Sequence, residues 1–280
     1  MLSPEQIRDF QTCGYTVLEG FKTKTEVATL KAAAAEIVEA FDVEALHSTF
    51  VTGQDDALDD YFLTSGDKVR CFLEPDALDE AGQLRRGKEL SINKIGHALH
   101  DLDPAFDQFS RDPRVESVVT DLGVALPQIW QSMYIYKQPH IGGEVLWHQD
   151  ATYLSSDPQS VVALWFALDD ATRENGCLWA ANCGVNTPLR AVFQVSGADS
   201  QTIVLDDTPW PDLREAVPLE VAAGTLVCFS GLLPHYSAAN TSGLARHAYT
   251  MHVLDGRAEY AAQNWIQRSA NFPLRGFESV

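Results

Sequence analysis

Apolar residues in the first part of the chain recur at the three-to-four-residue spacing of amphipathic helices. Ser3-Pro4-Glu5-Gln6 has the composition of a capped helix start, and Gly14 suits the end of the same helix. Residues 25–41 carry the strongest helical pattern, and Asp112-Pro113 begins another helix that should end near Gly123. These patterns predict helices throughout the N-terminal part of the chain.

Short β-prone runs separated by turn residues dominate the chain from residue 128 onward. Three runs come earlier, at residues 15–18, 69–73 and 91–95, and the later ones span residues 128–137, 161–169, 217–222, 225–229 and 246–254. Short strands spaced in this way are typical of a β-sandwich or a jelly roll. The pattern therefore predicts a mainly β fold with flanking helices.

The chain shows no internal repeat, no low-complexity segment and no Pro/Gly-rich linker. We therefore expect a single domain over residues 1–280, which lies within the size range of all-β domains. Within it we expect a mixed, mostly helical bracing region at 1–125, the β core at 126–256 and a C-terminal extension at 257–280. Residues 52–60 are rich in aspartate and predict an exposed acidic loop.

Composition and charge narrow the range of partners. A formal net charge of −19 argues against nucleic acid, because neutralising phosphates requires lysine and arginine. It favours a neutral or cationic small-molecule substrate over a polyanionic one. No apolar stretch reaches the length of a membrane span and no secretory signal is evident, so we expect no membrane partner. Five irregularly spaced cysteines indicate reduced thiols and a cytoplasmic location.

The segment Leu146-Trp147-His148-Gln149-Asp150 presents a histidine and a carboxylate two residues apart. In an extended strand such residues point to the same face, so His148 and Asp150 would converge. His-x-Asp is a weak motif alone, but His235 follows a turn and a buried strand further along and can supply a second imidazole. Two histidines and one carboxylate on one face of iron(II) leave the opposite positions open. The residues therefore predict an oxygen-activating metal centre.

Arg246 lies in the last predicted strand, at residues 246–254, which is otherwise largely apolar. A buried arginine is costly unless it meets an anion, and its planar guanidinium matches a carboxylate through two parallel hydrogen bonds. This position therefore predicts a binding site for an acidic cosubstrate.

Longer strings in the sequence point to a known family. They are Phe62-Leu-Thr-Ser-Gly-Asp-Lys68, Ser91-Ile-Asn-Lys-Ile-Gly-His-Ala-Leu-His100, Gln131-Ser-Met-Tyr-Ile135, Lys137-Gln-Pro-His140 and Glu174-Asn-Gly-Cys-Leu-Trp179. In these strings the chain resembles the phytanoyl-CoA dioxygenase family of iron(II)/2-oxoglutarate oxygenases over nearly its whole length. The resemblance implies a double-stranded β-helix core with iron near the mouth of the barrel.

The resemblance also implies site residues and a reaction. The implied iron ligands are His148, Asp150 and His235. The implied cosubstrate residues are Lys94, Met133, Trp165 and Arg246, the last of them for the distal carboxylate of 2-oxoglutarate. The implied enzyme is a dioxygenase of the EC 1.14.11 type that uses Fe(II), 2-oxoglutarate and O2. It hydroxylates an unactivated C–H bond of a small organic substrate and releases succinate and CO2.

Other interpretations stay open on the residues alone. One is a non-catalytic jelly-roll metal-binding protein that acts as a sensor or scaffold, and another is a different metalloenzyme on the same barrel. His97 and His100 could in principle bind a metal, although no third ligand is evident and structural roles are the simpler interpretation. After Trp179 the family usually continues with Pro-Gly-Ser-His, whereas residues 180–186 read Ala-Ala-Asn-Cys-Gly-Val-Asn. That departure concerns substrate specificity rather than the metal ligands.

Overall fold

A computed structural model of the protein describes residues 1–43, 60–197 and 199–278. Its helices are α1 (Pro4–Cys13), α2 (Lys24–Ala40), α3 (Asp60–Leu63), α4 (Leu99–Leu102), α5 (Pro104–Ser110) and α6 (Pro113–Asp121). Its strands are β1 (Tyr15–Leu18), β2 (Val69–Leu73), β3 (Ile92–His97), β4 (Pro127–Ile135), β5 (Val145–His148), β6 (Ser156–Asp157), β7 (Val162–Ala167), β8 (Leu178–Ala180), β9 (Ala191–Ser196), β10 (Asp199–Val204), β11 (Val217–Leu219), β12 (Leu226–Ser230), β13 (His235–Ser237), β14 (Ala248–Asp255) and β15 (Glu259–Tyr260). The predicted acidic loop at 52–60 lies outside the described residues except for Asp60.

The predicted start and end of α1 are confirmed by its caps. The Ser3 hydroxyl accepts a hydrogen bond from the backbone N–H of Gln6, and the Gln6 side chain accepts one from the N–H of Ser3. Gly14 ends the helix with a φ of 81°, in the left-handed region that glycine adopts without strain. The strong helical pattern at 25–41 corresponds to α2, and the one that begins at Asp112-Pro113 corresponds to α6.

The larger sheet has seven antiparallel strands in the order β1-β12-β7-β14-β4-β3-β2. Successive side chains of its central strands point to opposite faces. Leu164, Phe166, Tyr249 and Met251 point to the outer face, where they pack with the helices in one large apolar cluster. The other face of the same strands is buried as well, which explains why β7 is apolar along its whole length.

The smaller sheet has the strand order β11-β8-β13-β5 and covers the inner face of the larger one. Trp165 and Val227 of the larger sheet share an apolar cluster with Leu178, Ala180 and Leu219 of the smaller sheet. The two sheets therefore enclose an interior between them. This arrangement confirms the predicted mainly β fold with flanking helices and a double-stranded β-helix, or jelly-roll, core.

Two features of the fold differ from the pattern-based predictions. Arg246 lies two residues before β14 rather than inside it, and its backbone N–H donates to the carbonyl of Lys137 at 3.2 Å. The hairpin of β9 and β10 was not predicted, because β10 is almost entirely exposed and lacks an apolar alternation that sequence can reveal.

Two expectations about the environment can be compared with the structure. In the described part of the chain, no helix combines the length and the apolar character that crossing a membrane requires. All five cysteines lie in the described ranges and none of them forms a disulfide.

Candidate active site

Three side chains predicted as metal ligands meet at one end of the interior. His148 is the last residue of β5, and His235, the first residue of β13, lies directly opposite it in the smaller sheet. Asp150 begins a 3-10 turn just after β5. Its Oδ1 atom lies 3.6 Å from Nε2 of His148 and 3.7 Å from Nε2 of His235. The convergence was predicted correctly, but the turn after β5, rather than strand alternation, turns Asp150 towards the histidines.

Backbone carbonyls fix the orientation of both imidazole rings. Nδ1 of His148 lies 2.8 Å from the carbonyl oxygen of Leu146, and Nδ1 of His235 lies 3.0 Å from that of Leu233. A carbonyl can only accept, so each Nδ1 carries the proton and each Nε2 presents a lone pair. Both lone pairs belong to the atoms that face Oδ1 of Asp150.

The surroundings shift the pKa values of His148 and Asp150 towards the protonation states that metal binding requires. Burial and, to a smaller extent, the neighbouring His235 lower the pKa of His148 to about 4, so its imidazole is neutral at pH 7. Burial alone would raise the pKa of Asp150, but the adjacent His252 and His235 hold it below its usual range. Two imidazoles that each direct Nε2 towards Asp150 and one carboxylate are therefore available together, which is a donor set suited to iron(II).

Gln149 braces the backbone around this centre, a role that the sequence did not indicate. Gln149 lies between His148 and Asp150 in the sequence, and its side chain is buried. Its amide nitrogen donates to the carbonyls of Pro188 and Leu232 at 2.9 and 2.7 Å. Its amide oxygen accepts from the backbone N–H of Arg190 at 2.9 Å. One side chain thus ties the turn at Asp150 to the loop before His235 and to the loop before β9.

Arg246 lies deep in the interior with two donors that lack a protein partner. Arg246 is only 2% exposed, and its guanidinium carbon lies 5.4 Å from the centroid of the Trp165 ring. Nη2 approaches Oγ of Ser237 at 3.4 Å, whereas Nε and Nη1 have no hydrogen-bond partner among the described residues. Burial lowers the pKa of Arg246 to about 10, so it is still charged at pH 7. A buried cation with two unused donors suits a carboxylate from a bound molecule.

The other three predicted pocket residues lie on the inner face of the larger sheet. Met133 and Trp165 lie on either side of Thr250 in adjacent strands, so all three side chains point to one face. Lys94 lies in the neighbouring row, opposite Ile135. Its ammonium nitrogen lies 5.0 Å from the Phe62 ring centroid, and burial holds its pKa well below the usual value for lysine. The structure thus places Lys94, Met133 and Trp165 on the inner face of the larger sheet, where Trp165 contacts Arg246.

His97 and His100 do not join a metal site in the part of the chain that the structure describes, where the one group with metal-binding geometry is His148, Asp150 and His235. Nδ1 of His97 lies 2.8 Å from Oγ of Ser65, and Nδ1 of His100 lies 2.7 Å from Oγ of Ser132. Both histidines are fully buried, and their structural interpretation is the one that the contacts support.

A jelly-roll barrel with a His-Asp-His group and a buried, partly unpartnered arginine defines an oxygenase of the non-heme iron class. Comparison with known proteins gives the family. A family model described as phytanoyl-CoA dioxygenase (PhyH) matches residues 10–248, and the chain belongs to this family.

Two relatives show how far the similarity extends. The protein is 43% identical over 271 residues to phytanoyl-CoA dioxygenase 1 of Oryza sativa subsp. japonica, an alignment that covers 95% of this chain and 94% of the relative. It is 42% identical over 286 residues to phytanoyl-CoA dioxygenase domain-containing protein 1 of Rattus norvegicus, with 98% and 97% covered. Family membership therefore rests on nearly the full length of both chains.

A solved structure supports the fold independently. The non-heme alpha-ketoglutarate-dependent carbocyclase SnoK from nogalamycin biosynthesis superposes with a TM-score of 0.65 at 19% identity. The match covers 98% of this chain and 96% of that one. At this level of identity the likeness concerns the fold.

Proposed function

We propose that this protein is an iron(II)- and 2-oxoglutarate-dependent dioxygenase that hydroxylates an unactivated C–H bond of a small organic substrate and releases succinate and CO2. The observation that carries the proposal is the presence, in one barrel, of the His148, Asp150 and His235 group and of Arg246 with two unused donors. A metal-binding scaffold without turnover would have no use for a buried, partly unpartnered arginine. A metalloenzyme without an acidic cosubstrate would not need such an arginine either.

In this proposal the three ligands would hold iron(II) through the Nε2 atoms of the two histidines and one carboxylate oxygen. Arg246 binds the distal carboxylate of 2-oxoglutarate through its paired N–H groups. When bound, the metal supplies the redox chemistry that couples oxidation of 2-oxoglutarate by O2 to oxidation of the substrate. Asp150 favours hydroxylation over halogenation, because a halogenating relative of this chemistry needs a free position where the carboxylate binds.

The remaining pocket residues line the site and exclude water from it. Met133 and Trp165 form apolar walls on the inner face of the larger sheet, and the Lys94 amino group lies beside them. Phe62 and Phe72 pack around the Lys94 ammonium at 5.0 and 5.3 Å. Aromatic walls of this kind exclude water from the cosubstrate, which strengthens its electrostatic contacts.

The substrate that we propose is neutral or cationic. The family is named for a coenzyme A thioester, but a chain with a formal net charge of −19 would repel such a polyanion. The unusual turn at residues 180–186 separates this chain from the usual family pattern at a position close to the centre, since Ala181 N–H donates to the carbonyl of Pro234 beside His235. We therefore expect a substrate preference that differs from the family's namesake.

The proposal can be tested without knowing the substrate. Addition of iron(II) and 2-oxoglutarate under anaerobic conditions should produce a weak visible charge-transfer band, and admission of air should then release succinate. Asp150→Ala should weaken both signals, because it removes the anionic ligand. If folded wild-type protein gives neither the band nor succinate, the oxygenase proposal is wrong. Metal binding without either signal would support the scaffold instead.

A further inference from the structure

A third histidine lies behind the candidate metal centre. His252 is in the middle of β14, where its neighbours across the sheet are Gln131 of β4 and Ala163 of β7. Ala163 belongs to the apolar cluster between the two sheets, so His252 shares the inner face with it. Its side chain is 5% exposed, and its Nε2 atom lies 3.2 Å from Oδ2 of Asp150.

The two oxygens of the Asp150 carboxylate have different surroundings. Oδ1 faces the Nε2 atoms of His148 and His235, at 3.6 and 3.7 Å. Oδ2 is buried and lies 3.2 Å from Nε2 of His252, an ion-pair distance at which the described residues form no regular hydrogen bond to it. Within the described ranges no other polar group satisfies Oδ2, and Nδ1 of His252 has no partner either. Among the described residues, Asp150 is thus the one ion-pair partner of this buried imidazole, which forms no hydrogen bond through Nδ1.

We propose that His252 is a positioning residue for the metal-binding carboxylate, an inference that rests on the proposed function. Its imidazole, whose Nε2 lies 3.2 Å from Oδ2, attracts that oxygen and leaves Oδ1 directed towards the two other histidines. The carboxylate is thereby held to one-oxygen coordination. A carboxylate that rotated to offer both oxygens would occupy a further position on the metal, one that the reaction needs for 2-oxoglutarate or O2.

The physical basis is the cost of an unsatisfied buried carboxylate oxygen. A buried acceptor without a donor loses the hydrogen bonds that water would give it, and the cost is larger when the acceptor is charged. Without His252, Asp150 would either keep that cost or rotate to relieve it, and both outcomes weaken the ligand set. Partners of metal ligands in other proteins change metal affinity or activity by about 10–100-fold when they are removed.

The test compares metal binding by three variants at the same position. His252→Gln keeps an N–H donor near the position of Nε2, whereas His252→Asn carries the same amide one methylene shorter and His252→Leu carries no donor. We expect His252→Leu and His252→Asn to weaken Co(II) and anaerobic Fe(II) binding by about 10–100-fold, and His252→Gln to recover most of that loss. Calorimetric titration of the metal alone measures the effect, and circular dichroism shows that each variant is folded.

The Gln and Asn variants keep the test decisive if the Leu variant does not fold. His247→Gln is the matched control, because His247 is in the segment leading into the same strand but contacts Tyr134 at 2.8 Å, on the helix-facing side. It should bind metal as the wild type does. A second readout is the charge-transfer band at saturating iron(II) and 2-oxoglutarate, which should weaken in His252→Asn and return in His252→Gln.

The outcomes separate this inference from the proposed function. Wild-type metal affinity in both His252→Leu and His252→Asn would overturn the positioning role while leaving the oxygenase proposal intact. Equal losses in His252→Gln and His252→Asn would also overturn it, because a purely structural histidine would show that result. Absence of iron binding or of the charge-transfer band in the wild type would instead remove the proposed function itself.

Discussion

At the scale of single residues, the site depends on which hydrogen-bonding atoms are left without a protein partner. The backbone satisfies Nδ1 of His148 and of His235, and this leaves Nε2 of each ring as the available donor atom for a metal. Ser237 approaches one nitrogen of Arg246, and the other two nitrogens have no partner within the described ranges. These unused atoms define what the pocket can bind.

Arg246→Met should raise the KM for 2-oxoglutarate by about 30-fold or more, since removing one partner of a buried charge pair costs about 2–5 kcal/mol. Steady-state succinate formation at varied 2-oxoglutarate measures the change. Calorimetric Fe(II) affinity should stay at the wild-type value, because no metal-ligand candidate contacts Arg246. The variant without ligands should be at least as stable as the wild type, since a buried cation is replaced by an apolar side chain. An unchanged KM would remove Arg246 from the cosubstrate site.

At the scale of elements, a buried aspartate ties the C-terminal residues to the helical layer. Asp101 of α4 lies 2.6 Å from Arg111, which follows α5, and 3.7 and 3.5 Å from Arg268 and Arg275. Its side chain is 2% exposed. Arg268 also donates to the carbonyl of Trp130 in β4 at 2.9 Å. The Asp101 carboxylate therefore helps to hold the segment after β15 on the body of the protein, together with backbone contacts such as that of Arg268 with Trp130.

Asp101→Asn should lower the free energy of unfolding by about 3–5 kcal/mol, because it removes the carboxylate that pairs with the buried Arg268 and one of the two that pair with the buried Arg111. Urea denaturation measures this loss. Asp212→Asn is a suitable control, since the pair that Asp212 forms with Arg214 is largely exposed and should contribute little. Equal stability of Asp101→Asn and the wild type would show that the cluster does not hold the C-terminal segment.

The same cluster predicts a loss of stability in acid. Burial would raise the pKa of Asp101, but contacts with His100 and Arg111 lower it to about 2, below the value of about 3.9 for an unfolded chain. A carboxyl whose pKa is lower in the folded state stabilises the fold fully above its unfolded pKa. That contribution should decline as the pH falls from about 4 to about 2. Urea midpoints of the wild type should therefore fall more steeply over this range than those of Asp101→Asn.

At the scale of the whole molecule, the candidate site joins the two sheets. The metal-ligand candidates lie on or beside strands of the smaller sheet, whereas Trp165, Met133 and Lys94 belong to the larger one. A metal and a cosubstrate bound together would contact both sheets at once. Ligand binding should therefore stabilise the barrel as a unit.

Iron(II) with 2-oxoglutarate should raise the unfolding temperature of the wild type by roughly 5 °C or more under anaerobic conditions. Ligands at about 100 times their dissociation constants stabilise the native state by about 2.7 kcal/mol, and a domain of this size gains about 2–4 °C per kcal/mol. Thermal unfolding followed by circular dichroism measures the shift, and a chelator should reverse it. Arg246→Met should lose the part due to 2-oxoglutarate and keep the part due to the metal. If 2-oxoglutarate raised the unfolding temperature of Arg246→Met as much as that of the wild type, Arg246 would not be part of the cosubstrate site.

Local patterns in the sequence were enough for features that depend on neighbouring residues. The capping box at Ser3 and Gln6, the helix at Lys24–Ala40 and the apolar strand at Val162–Ala167 follow from side chains close together in the chain. The sequence does not predict the β9–β10 hairpin, because the residues of β10 are almost all exposed and show no alternation of apolar and polar positions. Arg246 was placed inside a strand because an apolar run marks burial but does not mark where strand pairing begins.

The sequence by itself determined the chemical inventory: two histidines and a carboxylate for a metal, an arginine for an acidic cosubstrate, and a mainly β fold to carry them. Only the tertiary structure decided how these groups are held. Gln149 contacts two loops besides its own turn, and His252 faces Oδ2 of Asp150. Asp101 pairs with arginines from distant segments of the chain. Such contacts join residues far apart in the chain, and their geometry depends on strand register and loop position. Residue type and local spacing leave that register undetermined, because it is set by how both sheets pack around the shared interior.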